Sequence, residues 1–136
     1  MTIAELDGFL RREFPQMFRD GEVFAITHIG SGTARVRFDP TEHHLRPGGT
    51  VSGPSLFTLA DVSAYIVVLA HIGPIGLAVT TNLNINFLHR PKPGALTCDC
   101  RILKLGKRLV VTDSTTADEA GRMVAHATAT YSIPPR

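Results

Sequence analysis

Asp61 is the one charged side chain in an apolar run from Ser55 to Ala70, and a Gly- and Pro-rich turn, Pro47-Gly48-Gly49-Thr50-Val51-Ser52-Gly53-Pro54, leads straight into that run. A carboxylate in such a setting is costly to bury without a partner or a task. A helix beginning at Pro54 would aim its free backbone N–H groups at whatever lies near Gly53. The segment therefore offers an anion-stabilising corner and, two turns along the same helix, an acid able to take a proton or attack an electrophile.

The elements that must hold these residues can be read from pattern. Thr2 followed by Glu5 forms a capping box for an amphipathic helix carrying Ile3, Leu6, Leu10 and Phe14, which Pro15 ends. Glu22–Ile29 and Thr33–Phe38 read as two strands joined at Gly30-Ser31-Gly32. Asp39-Pro40 opens a loop that runs to Gly53. The central helix, about Pro54 to His71, is apolar almost all round and must be buried on most sides; Gly73-Pro74 stops it. Four β-rich segments follow, at Ala78–His89, Ala95–Leu105, Arg108–Thr116 and Arg122–Ile133. Two strands, one long buried helix and four more strands at short intervals predict an α+β domain spanning residues 1–136, an antiparallel sheet wrapped around the helix in the hotdog architecture.

Composition narrows the function classes. The chain has 136 residues, long enough for a real core, with 43% apolar and 19% charged residues, which suits neither a disordered chain nor a membrane protein overall. The formal charge of +2 comes from scattered Lys and Arg, which argues against a nucleic-acid partner while suiting a small polyanionic ligand such as a nucleotide carrier. The Ser55–Ile72 run approaches membrane-spanning length, but Asp61 and Tyr65 in its middle and Pro and Gly at its ends argue against a span. Cys98 and Cys100, two residues apart on one strand face, are too close for an unstrained disulfide and have no partners for a zinc site. They are read as reduced packing residues of a cytoplasmic protein, and the N-terminus lacks the basic-then-apolar order of a signal peptide.

Arg46–Asp61, RPGGTVSGPSLFTLAD, resembles the signature of the PaaI-like hotdog thioesterases: Asn-x-x-Gly-x-x-His-Gly-Gly, six intervening residues, then an acid. Gly49, Gly53 and Leu59-Ala60-Asp61 stand at the family spacing, and Thr80–Phe87 and Pro93-Gly94 are similar to its next strand and turn. Arg46 replaces the family Asn, Ser52 its His, and Pro54 its last glycine; a proline at the first helical position leaves the Gly53 N–H free.

The resemblance implies hydrolysis of acyl-CoA or aryl-CoA thioesters with no metal or cofactor, coenzyme A being part of the substrate. Asp61 would be general base or nucleophile, Gly53 would donate its N–H to the thioester oxygen, and Thr80 would assist by holding the water. In the family the glycine and the acid of one site come from different subunits. Eight helical residues span about 12 Å, too far for both to reach one carbonyl, so a homodimer or a dimer of dimers is expected.

Ser52 falls where relatives place water or the thioester. Arg46 could pair with Asp61 or bind a ligand phosphate, and Arg90 and Arg108 could bind phosphates at the pocket mouth. Tyr65 or Phe57 would cap an acyl tunnel. Asn82, Asn84 and Asn86 share one strand face, suggesting a polar subunit contact or a wet groove, with Asn82 a substrate contact. His43-His44 is expected to be a solvated loop pair, and His71 a cation favoured at a helix C-terminus. The alternatives are a non-catalytic acyl-CoA binder or sensor on the same fold and, less favoured for want of a placed His, a hydroxyacyl dehydratase.

Overall fold

The computed structural model describes residues 1–135. The elements run α1 (Ile3–Glu13), β1 (Phe24–Gly30), β2 (Thr33–Phe38), α2 (Gly53–Ile72), β3 (Val79–Phe87), β4 (Leu96–Leu105), β5 (Leu109–Ala117) and β6 (Met123–Ser132). Short 3-10 turns at Pro15–Phe18 and Glu42–His44 fall in segments that the sequence pattern leaves as loop. The strands form one antiparallel sheet in the order β1-β2-β4-β5-β6-β3. β3 therefore lands beside β6 at the far edge, and the chain between β2 and β3, which includes α2, crosses the whole sheet. This is the α+β hotdog arrangement that the pattern predicts.

α2 needs little polar surface because Pro54, Phe57 and Thr58 near its start are its exposed residues and the rest is buried or half-buried. β2 turns Ala34, Val36 and Phe38 inward, β4 contributes Leu96, Cys98 and Cys100, and β6 contributes Ala127, Ala129 and Tyr131. Alanines on β6 let the sheet approach the helix closely. α1 is started by the Thr2–Glu5 capping box and covers the helix with Leu6, Phe9 and Leu10, while the Met1 ammonium donates to the Ala70 carbonyl at 2.8 Å. By length and composition α2 could cross a membrane, at a mean hydropathy of 1.7, yet 61% of its apolar window is buried inside this fold. It is a core helix.

The inner face of β5 is unusual: Thr112, Ser114 and Thr116 are buried there, opposite the fully buried Ser63. Ser63 satisfies its hydroxyl by donating to the Leu59 carbonyl at 2.7 Å. Ser63, Thr116 and Ser114 lie beside the Cys98 thiol, and burial pushes both Cys98 and Cys100 up from the ordinary thiol range. Both cysteines are free and buried, as packing residues should be.

Two histidines depart from expectation. Only His43 is solvated; His44 is buried, edge-on to Phe38 at 4.8 Å between ring centroids. Its Nδ1 accepts from the Thr41 N–H at 2.8 Å and its Nε2 lies 3.3 Å from Asp20. The loop needs this internal pin because it has no sheet partner of its own beyond the Leu45–Val51 bridge. His71 does not serve as a free cation at the helix end. Its Nδ1 faces the Val67 carbonyl at 2.8 Å, and its Nε2 accepts from the Gly32 N–H at 2.7 Å. A ring accepting at one nitrogen and donating at the other is neutral, and here it ties the end of α2 to the β1–β2 turn, where Gly32 has φ +70°.

Replacing His71 with Phe keeps the ring and removes both bonds. The expected result is a loss of about 1–3 kcal/mol, since the Gly32 N–H is left without its acceptor. It is read as a lower urea midpoint at unchanged slope.

Candidate active site

Asp61 projects from the middle of α2, half-buried, where the edge of the sheet reaches it. Thr80 Oγ1 on β3 donates to Asp61 Oδ1 at 2.6 Å, and the Tyr131 hydroxyl on β6 donates to the same oxygen at 2.8 Å. The Tyr131 hydroxyl also lies 3.1 Å from the Asp61 carbonyl. Both donors fall on Oδ1, so among the described residues Oδ2 has no protein hydrogen-bond partner. The carboxylate is fixed through one oxygen and presented through the other.

β3 and β6 can deliver these donors together because they are neighbours with Thr80 opposite Tyr131. Tyr131 alternates inward with Ala127 and Ala129 and is 3% exposed, so its hydroxyl must find a partner inside the protein. Burial, and then the Asp61 charge, push its phenol up from the ordinary range, which keeps it a donor. Tyr65 stacks on Tyr131 at 6.0 Å, meets Phe14 edge-on at 5.9 Å and donates to the Gly76 carbonyl at 3.2 Å. Asp61, Thr80, Tyr65 and Tyr131, with Phe14 and Glu13 from the end of α1, line a cleft of about 380 Å³.

Gly53 opens onto a different cleft. It is the first residue of α2, with Ser52 as N-cap. The cap accepts from the Ser55 N–H at 3.3 Å, the Leu56 N–H goes to the Ser52 carbonyl, and Pro54 has none to give. Among the described residues the Gly53 N–H is thus the one donor of the first turn without a partner, and it sits at the positive end of a 20-residue helix. Gly53 also tolerates a helical conformation before proline, which a Cβ would disfavour. An added Cβ would meet the Phe87 ring at 3.4 Å. Arg46, Gly53, Phe87 and Arg90 line this second cleft, of about 670 Å³. The two clefts share no lining residue.

The remaining expected site residues are distributed as follows. Arg46 forms no ion pair with Asp61, whose partners are Thr80 and Tyr131; it is exposed beside Gly53. Ser52 commits its hydroxyl to Ser55, 2.8 Å away. Asn82 is exposed on β3, and Arg108 is exposed in the β4–β5 turn; neither lines the Asp61 or the Gly53 cleft. Phe57 is 40% exposed and lines neither cleft, leaving Tyr65 as the aromatic side chain of the pair at the Asp61 cleft. Tyr131 and Glu13 are absent from the set expected from sequence. A tyrosine in phase with inward alanines is a signal for Tyr131; Glu13 carries none, because it reaches the cleft only through the docking of α1.

A family model described as the thioesterase superfamily matches residues 48–125, which include Gly53, Asp61, Thr80 and the strands around them. The chain belongs to the thioesterase superfamily. It is accordingly a thioester hydrolase by class. A solved structure of a proposed thioesterase from Silicibacter sp. TM1040 is 46% identical, covers 99% of this chain and 93% of its own, and superposes with a TM-score of 0.89. The PaaI-like resemblance is matched by a proposed thioesterase, a phenylacetic acid degradation-related protein, from Ralstonia eutropha JMP134. It is 25% identical, covers 95% of this chain and 99% of its own, and has a TM-score of 0.83. A Streptococcus mutans UA159 protein solved with bound acetyl-CoA is 28% identical, covers 85% of this thioesterase chain and 91% of its own, and has a TM-score of 0.75.

The raised Tyr131 phenol has a consequence for stability. Above about pH 10 tyrosine ionises in the unfolded chain, while folded Tyr131 stays protonated. Stability should therefore fall with rising pH, by up to about 1.4 kcal/mol per pH unit from this residue. Denaturant midpoints from pH 9 to 11 should fall less steeply in Tyr131→Phe than in the unaltered protein.

Proposed function

We propose that this thioesterase hydrolyses acyl-CoA thioesters at a site completed by two copies of the chain. Asp61 of one copy would act on the carbonyl, and Gly53 of the other would hold its oxygen. The observation that carries the reading is the asymmetric hold on Asp61: two donors occupy Oδ1, Oδ2 has no partner among the described residues, and Asp61 lines a cleft of about 380 Å³.

In the general-base form, Oδ2 takes a proton from water as the water oxygen attacks the thioester carbonyl. The oxyanion of the tetrahedral intermediate accepts from the Gly53 N–H, and the C–S bond breaks as the thiolate of coenzyme A leaves and recovers the proton. In the nucleophilic form, Oδ2 itself attacks, the thiolate leaves, and water then cleaves the mixed anhydride. Single turnover in heavy-oxygen water reveals the nucleophilic form where water opens the anhydride at the Asp61 carboxyl carbon, which leaves label in Asp61, and trapping of the anhydride by hydroxylamine reveals it where water attacks the acyl carbon. Neither form requires a metal or redox cofactor.

Coenzyme A as carrier is supported by the acetyl-CoA bound to the Streptococcus mutans relative and by Arg46 and Arg90 beside Gly53, which suit phosphates. Arg108, which lines neither cleft, is the weaker candidate. A shared site is supported by the separation of the Gly53 and Asp61 clefts and by β3, a nine-residue edge strand with Val79 54% and Phe87 53% exposed. Such an edge is a template for pairing with another strand, and Asn82, Asn84 and Asn86 would lie at that contact. A homodimer, alone or paired into a tetramer, follows, and the buried free cysteines suit a reducing cytoplasm.

Asp61→Asn is expected to lower kcat on a panel of acyl- and aryl-CoA esters by about a thousandfold or more. Unchanged turnover would remove Asp61 from its role, and tight binding of the esters with no turnover in the unaltered protein would mark a binder instead. Thr80→Val and Tyr131→Phe are expected to cost about tenfold to a hundredfold in kcat, with a smaller change in KM, by loosening the carboxylate.

The shared site is tested by co-expressing Asp61→Asn with Gly53→Pro, which removes the N–H, once each is shown to be inactive alone. Random pairing puts one intact site in half of the dimers, so about a quarter of full activity should return. No return would place the whole site within one chain.

A further inference from the structure

Glu13 is the last residue of α1, and α1 is held rigidly. Leu6, Phe9 and Leu10 are buried against the core, and the Met1 ammonium is bonded to α2. A carboxylate at that position runs against the helix, whose C-terminal end is the negative end of its dipole and otherwise carries Arg11 and Arg12.

Its isolation is equally marked. The chain has 12 acidic residues. Asp7, Asp20, Glu22, Asp39, Asp99 and Asp113 pair with cationic side chains or histidine. Glu5, Asp61, Asp118 and Glu119 accept from backbone N–H or hydroxyl groups. Among the described residues only Glu13 and Glu42 have neither kind of partner, and only Glu13 lines the Asp61 cleft.

The cleft connects the two carboxylates by an aromatic wall. Tyr131 bonds Asp61 Oδ1, Tyr65 stacks on Tyr131 at 6.0 Å, and Phe14, next in sequence to Glu13, meets Tyr65 at 5.9 Å. An acyl group with its carbonyl at Asp61 Oδ2 and its body against these rings brings its far end toward Glu13. Tyr65 registers the charge at that end: its phenol is pushed up by burial and then by Glu13.

We propose that Glu13 sets the acyl selectivity of this cleft, turning away acyl groups that end in a carboxylate relative to groups of equal length that end in a methyl or a hydrogen-bond donor. The inference rests on the acyl-CoA thioesterase reading. Glu13 is exposed at the open side of the cleft, and the physical content is a solvent-screened repulsion between two anions there, together with the ability of a bare carboxylate to accept from a hydroxyl.

The test uses three six-carbon thioesters that differ only at the far carbon: hexanoyl-, 6-hydroxyhexanoyl- and adipyl-CoA. The quantity read is the ratio of kcat/KM for adipyl to that for hexanoyl. Glu13→Gln should raise this ratio by about fivefold and lower the preference for the hydroxylated ester. Glu13→Asp, which keeps the charge, should leave the ratio low. Added salt should raise the ratio in the unaltered protein and not in Glu13→Gln. Ratios that agree within twofold between the unaltered protein and Glu13→Gln would overturn the assignment while leaving acyl-CoA hydrolysis intact. Absence of turnover on all three esters and on the wider panel would overturn the thioesterase reading and this inference with it.

Discussion

The structure depends on wrapping one sheet around a helix that is apolar on nearly every side. α2 could not remain in water alone, and it is enclosed because β3, which follows it, crosses to the far edge and pairs with β6 rather than with β2. That crossing brings β3 and β6 side by side where the only charged residue of the apolar run emerges. Thr80 and Tyr131, 51 residues apart in sequence, become directly opposed, and both close on Asp61 Oδ1. The hydrophobic requirement and the placement of the carboxylate are therefore one constraint. A carboxylate accepting two hydroxyl donors needs no neighbouring cation to be tolerated against the core.

The same helix determines what happens at its start. Its N-terminal turn is held by Ser52, whose own N–H goes to the His44 carbonyl, while Val51 donates to the Pro91 carbonyl. Buried His44, bonded to Thr41 and lying beside Asp20, fixes the loop that carries this cap. The pin matters because a free N–H is useful to an oxyanion only if it is already aimed, without reorganisation as charge develops. Exposed ion pairs such as Arg35–Asp99 contribute little by comparison. The ordering of this corner comes instead from buried bonds and from proline, which removes a competing donor beside Gly53.

Much of this was legible in the sequence, for identifiable reasons. The capping box, the apolar helix and its glycine stop are local signals, and each appears within a residue or so of its expected bounds. Asp61 stood out because a charge interrupts an apolar run, and Gly53 because a turn and a proline flank it. The partners of Asp61 were harder. Family spacing points to Thr80, whereas the alternation of Tyr131 with inward alanines marks it as buried but not as a partner of Asp61, which depends on which strand neighbours β3. The roles of His44 and His71 are not legible for a related reason: imidazole is equally at home in water and in a buried bond, and local sequence carries no record of the Thr41 or Gly32 N–H that decides between them. The inner face of β5 shows the converse, since Thr112, Ser114 and Thr116 read as polar but are buried beside Ser63 and Cys98.

The rigid helix that delivers both groups also keeps them apart. A flexible loop could bend Gly53 toward Asp61, but eight residues of α-helix hold them about 12 Å apart, and each faces its own cleft. On the proposed reading a single chain can satisfy every demand of folding, with core, caps and carboxylate in place, and still hold only two half-sites. Folding and catalysis then place their requirements on different surfaces, the inner face of the sheet for one and the β3 edge with the two clefts for the other. Polar Asn82, Asn84 and Asn86 suit that edge, because they discourage indiscriminate apolar association while leaving the backbone free to pair. Selectivity can vary independently again, because Glu13 enters the cleft from α1, outside the sheet and outside the helix that carries Asp61.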